Sequence, residues 1–159
     1  MQDMLVRLYA LPSYESERQR LQAEGVTCRR AESYERIILL QFVRERWPDW
    51  LDEAAAAFAH VPPTMFIAHA GDEVLGFATY HATRPNLFGP MGVDEYARMH
   101  GIGKVILWQS LGAMAAEGYA YAIIAGVGPF EFYERTVGAT PIEGSEAGIY
   151  QNRLRAEAA

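Results

Sequence analysis

Met91-Gly-Val-Asp-Glu-Tyr-Ala-Arg-Met-His-Gly-Ile-Gly-Lys104 is the stretch from which the fold can be read. An apolar run ends at Val93, a charged turn follows, and Gly101-Ile102-Gly103-Lys104 opens a long apolar helical pattern. A glycine-rich turn that starts a helix gathers unpaired backbone N–H groups at one point. The helix dipole adds about half a positive charge there. Such a turn suits a phosphate, with Lys104, the only lysine of the chain, inside it.

Immediately upstream, Leu87 to Val93 reads as a strand interrupted by Gly89, Pro90 and Gly92. Proline removes a ladder bond, so this strand is expected to be bulged or to face a ligand with its backbone exposed. Before it, Met65–Ala70 and Val74–His81 form a hairpin about Gly71-Asp72-Glu73. Downstream, the helix Gly101–Glu117 spreads Ile102, Val105, Ile106 and Trp108 around a stripe of Leu107, Leu111 and Met114, so it should be buried on several sides. The strand Tyr119–Val127 completes a strand–helix–strand unit with parallel strands. Gly128-Pro129 opens the helix Phe130–Val137, which Gly138 closes. Ala139–Ile142 and Gly148–Leu154 are expected as a closing hairpin, and Ala156–Ala159 as a frayed end.

On the N-terminal side the pattern predicts a strand at Met4–Ala10, a charged surface helix at Tyr14–Glu24 capped by Ser13, and a strand at Val26–Ala31. An apolar helix then runs to Trp47, a short helix passes through Ala54–Phe58, and Pro62-Pro63 breaks the chain. The sheet is expected to be antiparallel in its first part and parallel at its end.

The 159 residues make one core-sized domain, half apolar and one fifth charged. A net charge of -6 argues against nucleic-acid and anionic-membrane surfaces. A lone Cys28 gives neither an internal disulfide nor a metal cluster. With no signal-like or membrane-length segment, a cytoplasmic protein without a metal is the expectation. Assembly as a homodimer stays open.

A nucleotide-hydrolase loop would need glycine at Arg98 and Ser or Thr at Val105. A dinucleotide fingerprint would need glycine at Ile106. Both readings fail on those residues. Arg98-Met99-His100-Gly101-Ile102-Gly103 instead resembles the Arg/Gln-x-x-Gly-x-Gly/Ala turn of the GNAT superfamily of N-acetyltransferases. Phe132-Tyr133-Glu134-Arg135 with Gly138-Ala139 resembles the Phe-Tyr segment of that family, and the order of elements from Val26 onward is similar to its core.

The resemblance implies an α/β fold, a GNAT-like mixed sheet with helices on both faces. Residues 26–155 would form the acetyltransferase domain and residues 1–25 a strand–helix extension packed on it. It implies acetyl-CoA as cosubstrate. Arg98, Met99, His100, Gly101, Ile102, Gly103 and Lys104 would hold the pyrophosphate, and Met91, Gly92 and Val93 the pantetheine arm. Met99 and Ala97 stand where many members have glycine and an aromatic. Gly126-Val127-Gly128 stands where many carry an asparagine.

The implied activity is transfer of an acetyl group to a primary amine of a small molecule, by direct attack in a ternary complex. The alternative is a coenzyme-binding sensor without catalysis. The resemblance places the Tyr133 hydroxyl near the thioester sulfur and so implies Tyr133 as proton donor to the departing thiolate, a role that suits a phenol, which keeps its proton at neutral pH. The fourth core strand lacks a carboxylate, which leaves His81 as candidate base ahead of His69. Trp47 and Tyr80, with Trp50 and Tyr34 nearby, are candidate walls of the acceptor pocket. The identity of the amine is not written in the sequence.

Overall fold

The computed structural model describes residues 1–155; the expected frayed end, Ala156–Ala159, lies outside them. One seven-stranded sheet organises the chain. Its strands are β1 (Met4–Arg7), β2 (Thr27–Arg30), β3 (Met65–Ala70), β4 (Glu73–Tyr80), β5 (Leu87–Val93), β6 (Tyr121–Ile124) and β7 (Thr140–Pro141). They lie in the order β2-β3-β4-β5-β6-β1-β7. The helices are α1 (Glu15–Ala23), α2 (Arg36–Arg46), α3 (Leu51–Ala56), α4 (Ile102–Ala116) and α5 (Phe130–Val137). None is long and apolar enough to cross a membrane among the described residues.

Strand alternation divides the core in two. On one face, Ala78 and Tyr80 of β4 meet Ile106, Leu111 and Met114 of α4 together with Leu21 of α1. On the other, Met65, Ile67 and Phe77 meet Leu39, Leu40, Phe42 and Val43 of α2. α4 is apolar around most of its circumference because it is packed on β2 to β5 and also on α1. The hairpin β3–β4 forms where the pattern places it, with Gly71 at φ +55 in the turn.

Two expectations fail, for one reason. The closing hairpin does not form: β7 has two residues, and Gly148–Tyr150 is a 3₁₀ turn rather than a strand. Its place in the sheet is taken by β1, which pairs antiparallel with β6 from Met4↔Ile124 to Arg7↔Tyr121 and with β7 at Met4↔Pro141. The sheet therefore does not end in parallel strands. Only β5–β6 is parallel among the described residues, and β1 restores antiparallel order beyond it. Met4 and Val6 are fully buried there. Those two side chains, on one face of a short strand, join Ala122 and Ile124 of β6 in the core.

Candidate functional site

The site begins where β5 and β6 part. They are paired only at Leu87↔Ile123 and Phe88↔Ile124, whereas β5 stays paired with β4 as far as Val93. After Ile124 the chain swings away, with Gly126 at φ +58. The Asp3 carboxylate accepts the Gly126 N–H at 2.8 Å, and Gln2 O accepts the Val127 N–H at 3.0 Å. The edge of β5 from Gly89 to Gly92 is thus left without a strand partner among the described residues. Thr79 Oγ1 donates to Pro90 O at 2.9 Å and fixes the irregular middle of the strand from beneath. Between the parted strands lies a cavity of about 620 Å³, lined among others by Gly89, Pro90, Met91, Gly128 and Tyr133.

β5 leads straight into the glycine turn. Asp94 caps a single 3₁₀ turn, Glu95–Ala97, by accepting the Tyr96 N–H at 3.0 Å. Arg98 Nε donates back to Val93 O at 3.2 Å. Gly101 then adopts φ +87 and starts α4. The N–H groups from Met99 to Lys104 meet no acceptor among the described residues. Orphan donors on a turn that opens a 15-residue helix make an anion cradle. Met99 sits at φ +71, a conformation costly for a residue with a Cβ, at the position where glycine is usual in the pattern it resembles. A Cβ on Gly103 would meet Phe132 Cζ at 3.6 Å and Val93 Cγ2 at 3.8 Å, both ordinary contacts, so the fold itself would admit alanine there.

Gly92 is different. A Cβ built on it would lie 2.6 Å from Trp47 Cη2 and 2.7 Å from Cζ2. Trp47 is laid flat against the β5 backbone and is stacked on Trp50, 5.6 Å between ring centroids.

The structure brings Met91 and Tyr133 together in the cavity and strings Arg98 to Lys104 along the turn. Other expected residues are placed elsewhere. His81 does not face the cavity. Its Nδ1 accepts the Asn86 N–H at 3.1 Å, which puts the ring proton on Nε2, and Nε2 donates to Glu117 at 2.7 Å. With both nitrogens engaged, His81 has no lone pair to offer a substrate. Tyr80 is 1% exposed, and its hydroxyl is held by Arg30 at 2.6 Å, so it is a core residue and not a pocket wall. Trp47 lines a separate groove of about 440 Å³ with Arg46, Asp94, Tyr96 and Arg98, while its neighbour Trp50 lines the cavity. His69 is bonded to Arg29 and Gly71, and Tyr34 is exposed.

Sequence reading missed two groups. Arg20, on a helix read as mere surface, donates to His100 O at 2.9 Å and brings a guanidinium to the glycine turn. Glu53, on α3, reaches the cavity and accepts the hydroxyls of Thr83 and Tyr150. Neither carries a local signal, since helical charge patterns look alike whether they face solvent or a cleft.

The electrostatics follow from burial and partners. Burial pushes the Tyr133 phenol up to about 12, and its hydroxyl makes no hydrogen bond among the described residues. Burial, with the Glu53 carboxylate beside it, holds Tyr150 above the usual phenol value. The Tyr96 N–H, then the Arg46 guanidinium at 2.7 Å, hold Asp94 below the usual carboxylate range. A depressed folded pKa stabilises the fold above the unfolded value, near 4, and this contribution is lost as pH falls below it. Asp94→Asn keeps the cap and loses the charge. It is expected to cost about 1 kcal/mol or less at neutral pH. The gap in melting temperature from the parent should close as pH falls below about 4, which thermal unfolding at several pH values checks.

No protein-family model matches the sequence, and no curated protein does. Solved structures match it in fold. One is the GCN5-related glucosamine N-acetyltransferase region of a fungal multi-domain β-N-acetylglucosaminidase, with a TM-score of 0.72 at 17% identity over 89% of this chain and 19% of that one. Another is a GCN5-related N-acetyltransferase from Sphaerobacter thermophilus, with a TM-score of 0.65 at 18% identity over 89% of this chain and 48% of that one. A third is an aminoglycoside acetyltransferase from an uncultured soil metagenomic sample, with a TM-score of 0.54 at 12% identity, covering 71% and 88% of the two chains. This chain therefore spans about a fifth of the first of these and about half of the second. The likeness is one of fold: the chain has the mixed sheet and flanking helices of the GNAT superfamily.

Proposed function

We propose that this chain is an acetyl-CoA-dependent N-acetyltransferase that moves an acetyl group to a primary amine of a small molecule while both substrates are bound. One observation carries this reading. The free edge of β5 joins an N–H-rich turn at one end to Tyr133 at the other, with the Phe88 and Tyr133 rings 6.4 Å apart. A linear molecule with an anionic end and amide groups along its length fits such a track. The turn from Arg98 to Lys104 would hold its phosphates, helped by Arg20, and the N–H and C=O groups of Met91, Gly92 and Val93 its amides. Acetyl-CoA supplies the thioester.

The residues of the chain then do three things. They bring the two substrates together, which converts a bimolecular step into a local one. A backbone N–H near Met91–Val93 meets the developing oxyanion. Tyr133, kept protonated by burial, gives its proton to the sulfur. The small-molecule acceptor is supported by a cavity of about 620 Å³ and by the amine-modifying neighbours of the fold.

Titration calorimetry with acetyl-CoA and a thiol-release assay with glucosamine, tyramine, spermidine and lysine test the reading together. Binding in the micromolar range and amine-dependent thiol release are expected. Binding without turnover for all four amines would establish the sensor reading instead.

A further inference from the structure

Tyr133 supplies a proton to sulfur but leaves the protons of the acceptor without a destination. A primary ammonium must lose a proton before its nitrogen can attack. β5 carries no carboxylate, and both nitrogens of His81 are bonded away from the cavity. The wall contributed by α3 does carry one. Glu53 lines the same cavity as Tyr133. Its Oε2 accepts the hydroxyl of Thr83, from the turn after β4, and that of Tyr150 at 2.9 Å, from the C-terminal 3₁₀ turn. Both donors act on one oxygen, and Oε1 has no partner among the described residues. Tyr133, a residue 7% exposed, lines the same cavity with its hydroxyl unpaired among those residues. A clamped carboxylate with one free oxygen and an unpaired hydroxyl that opens on the same cavity form a base and an acid for a single reaction.

We propose that Glu53 is the catalytic carboxylate that binds the acceptor as its ammonium and takes its proton, with Thr83 and Tyr150 as positioning residues. This rests on the acetyltransferase reading above. Glu53 removes one proton from the ammonium, and the freed lone pair forms the C–N bond to the thioester carbonyl carbon. The C–S bond breaks as Tyr133 gives its proton to the sulfur. The second proton lost by the nitrogen restores Tyr133, and Glu53 returns its proton to water. The net products are the amide, the thiol and one proton.

Other charged groups share the cavity: Asp49 ahead of α3, Asp3 and Glu146, and Arg153 and Arg155. Asp3 is engaged by the Gly126 N–H and Glu146 by Gln2. Asp49 is therefore the rival base, and Asp49→Asn is the control.

The test uses whichever of glucosamine, tyramine, spermidine and lysine the parent acetylates, from about pH 6 to about pH 10. Glu53→Gln keeps an oxygen for both hydroxyls. It is expected to lower kcat/KM about tenfold near pH 7, because water and Asp49 still accept protons. Near pH 10, where the amine sheds its proton unaided, the loss should shrink to about twofold or less. Acetyl-CoA affinity stays unchanged in calorimetry. Tyr150→Phe gives the same pH-rescued pattern at about threefold, and it carries the test if Glu53→Gln does not fold. A purely structural role would lower the rate by one factor at every pH. That result, parental kcat/KM in Glu53→Gln, or the pH-rescued pattern in Asp49→Asn instead, overturns the assignment. A parent inactive with all four amines overturns the acetyltransferase reading itself.

Discussion

Tyr133→Phe is expected to lower kcat roughly ten- to a thousand-fold while acetyl-CoA still binds with parental affinity. The substitution removes one oxygen and nothing else. That oxygen makes no hydrogen bond among the described residues, so no protein partner is orphaned by its loss. The ring keeps its edge-on packing with Phe88 and Phe132. Stability at neutral pH should therefore stay close to that of the parent, and loss of turnover cannot be put down to unfolding. A thiol left without a proton donor is the remaining explanation.

A second readout belongs to the same variant. Burial raises the folded pKa to about 12, above the unfolded value near 10. The stability linked to this group is complete below about pH 10 and is lost as pH rises through about 12. The parent should accordingly lose stability relative to Tyr133→Phe in that alkaline window. Unchanged turnover in the variant would remove Tyr133 from the reaction.

Gly92→Ala is expected to destabilise the fold by about 2–3 kcal/mol, although it adds only a methyl group. The new Cβ would stand 2.6 to 2.8 Å from three carbons of the Trp47 ring. Flexible side chains step aside at such distances, but this ring is boxed in. Trp50 stacks on it, Phe42 meets it edge-on at 5.7 Å, and Phe77 lies at 5.7 Å. Either the indole leaves its place or β5 shifts, and β5 is also the free edge proposed for pantetheine. Thermal unfolding should show a drop of several degrees, together with weaker acetyl-CoA binding. A smaller residue opposite should relieve the clash. Gly92→Ala combined with Trp47→Leu is expected to be more stable than the sum of the single changes allows. Strict additivity would mean that the contact is not what makes Gly92 necessary.

The distribution of what could be read early follows the range of the interactions. The glycine turn, the β3–β4 hairpin, α4 and α5 are written in residues a few positions apart. Gly101 fits the left-handed start of α4, and Gly138 at φ +66 fits the end of α5. Hydrophobic periodicity likewise marked α4 as buried on several sides. Those local patterns, in their order along the chain, were enough to point to the GNAT-like fold and to a glycine turn that opens α4, followed downstream by a Phe-Tyr helix.

What lay beyond the sequence depends on pairs far apart in it. A strand slot can be filled by any segment with a short apolar face, so nothing local told that β1 and not Gly148–Leu154 would pair with β6. His81 reads as a titratable base until Asn86 and Glu117 are seen to hold both its nitrogens. Trp47 reads as a pocket wall until its ring is found lying on Gly92. Glu53 reads as one more helical carboxylate until Tyr150, 97 residues away, donates to it. Local rules specify backbone conformation and the face a side chain takes. Which groups meet in a cleft is settled by packing between distant segments, where burial and long-range hydrogen bonds decide and sequence spacing carries no information.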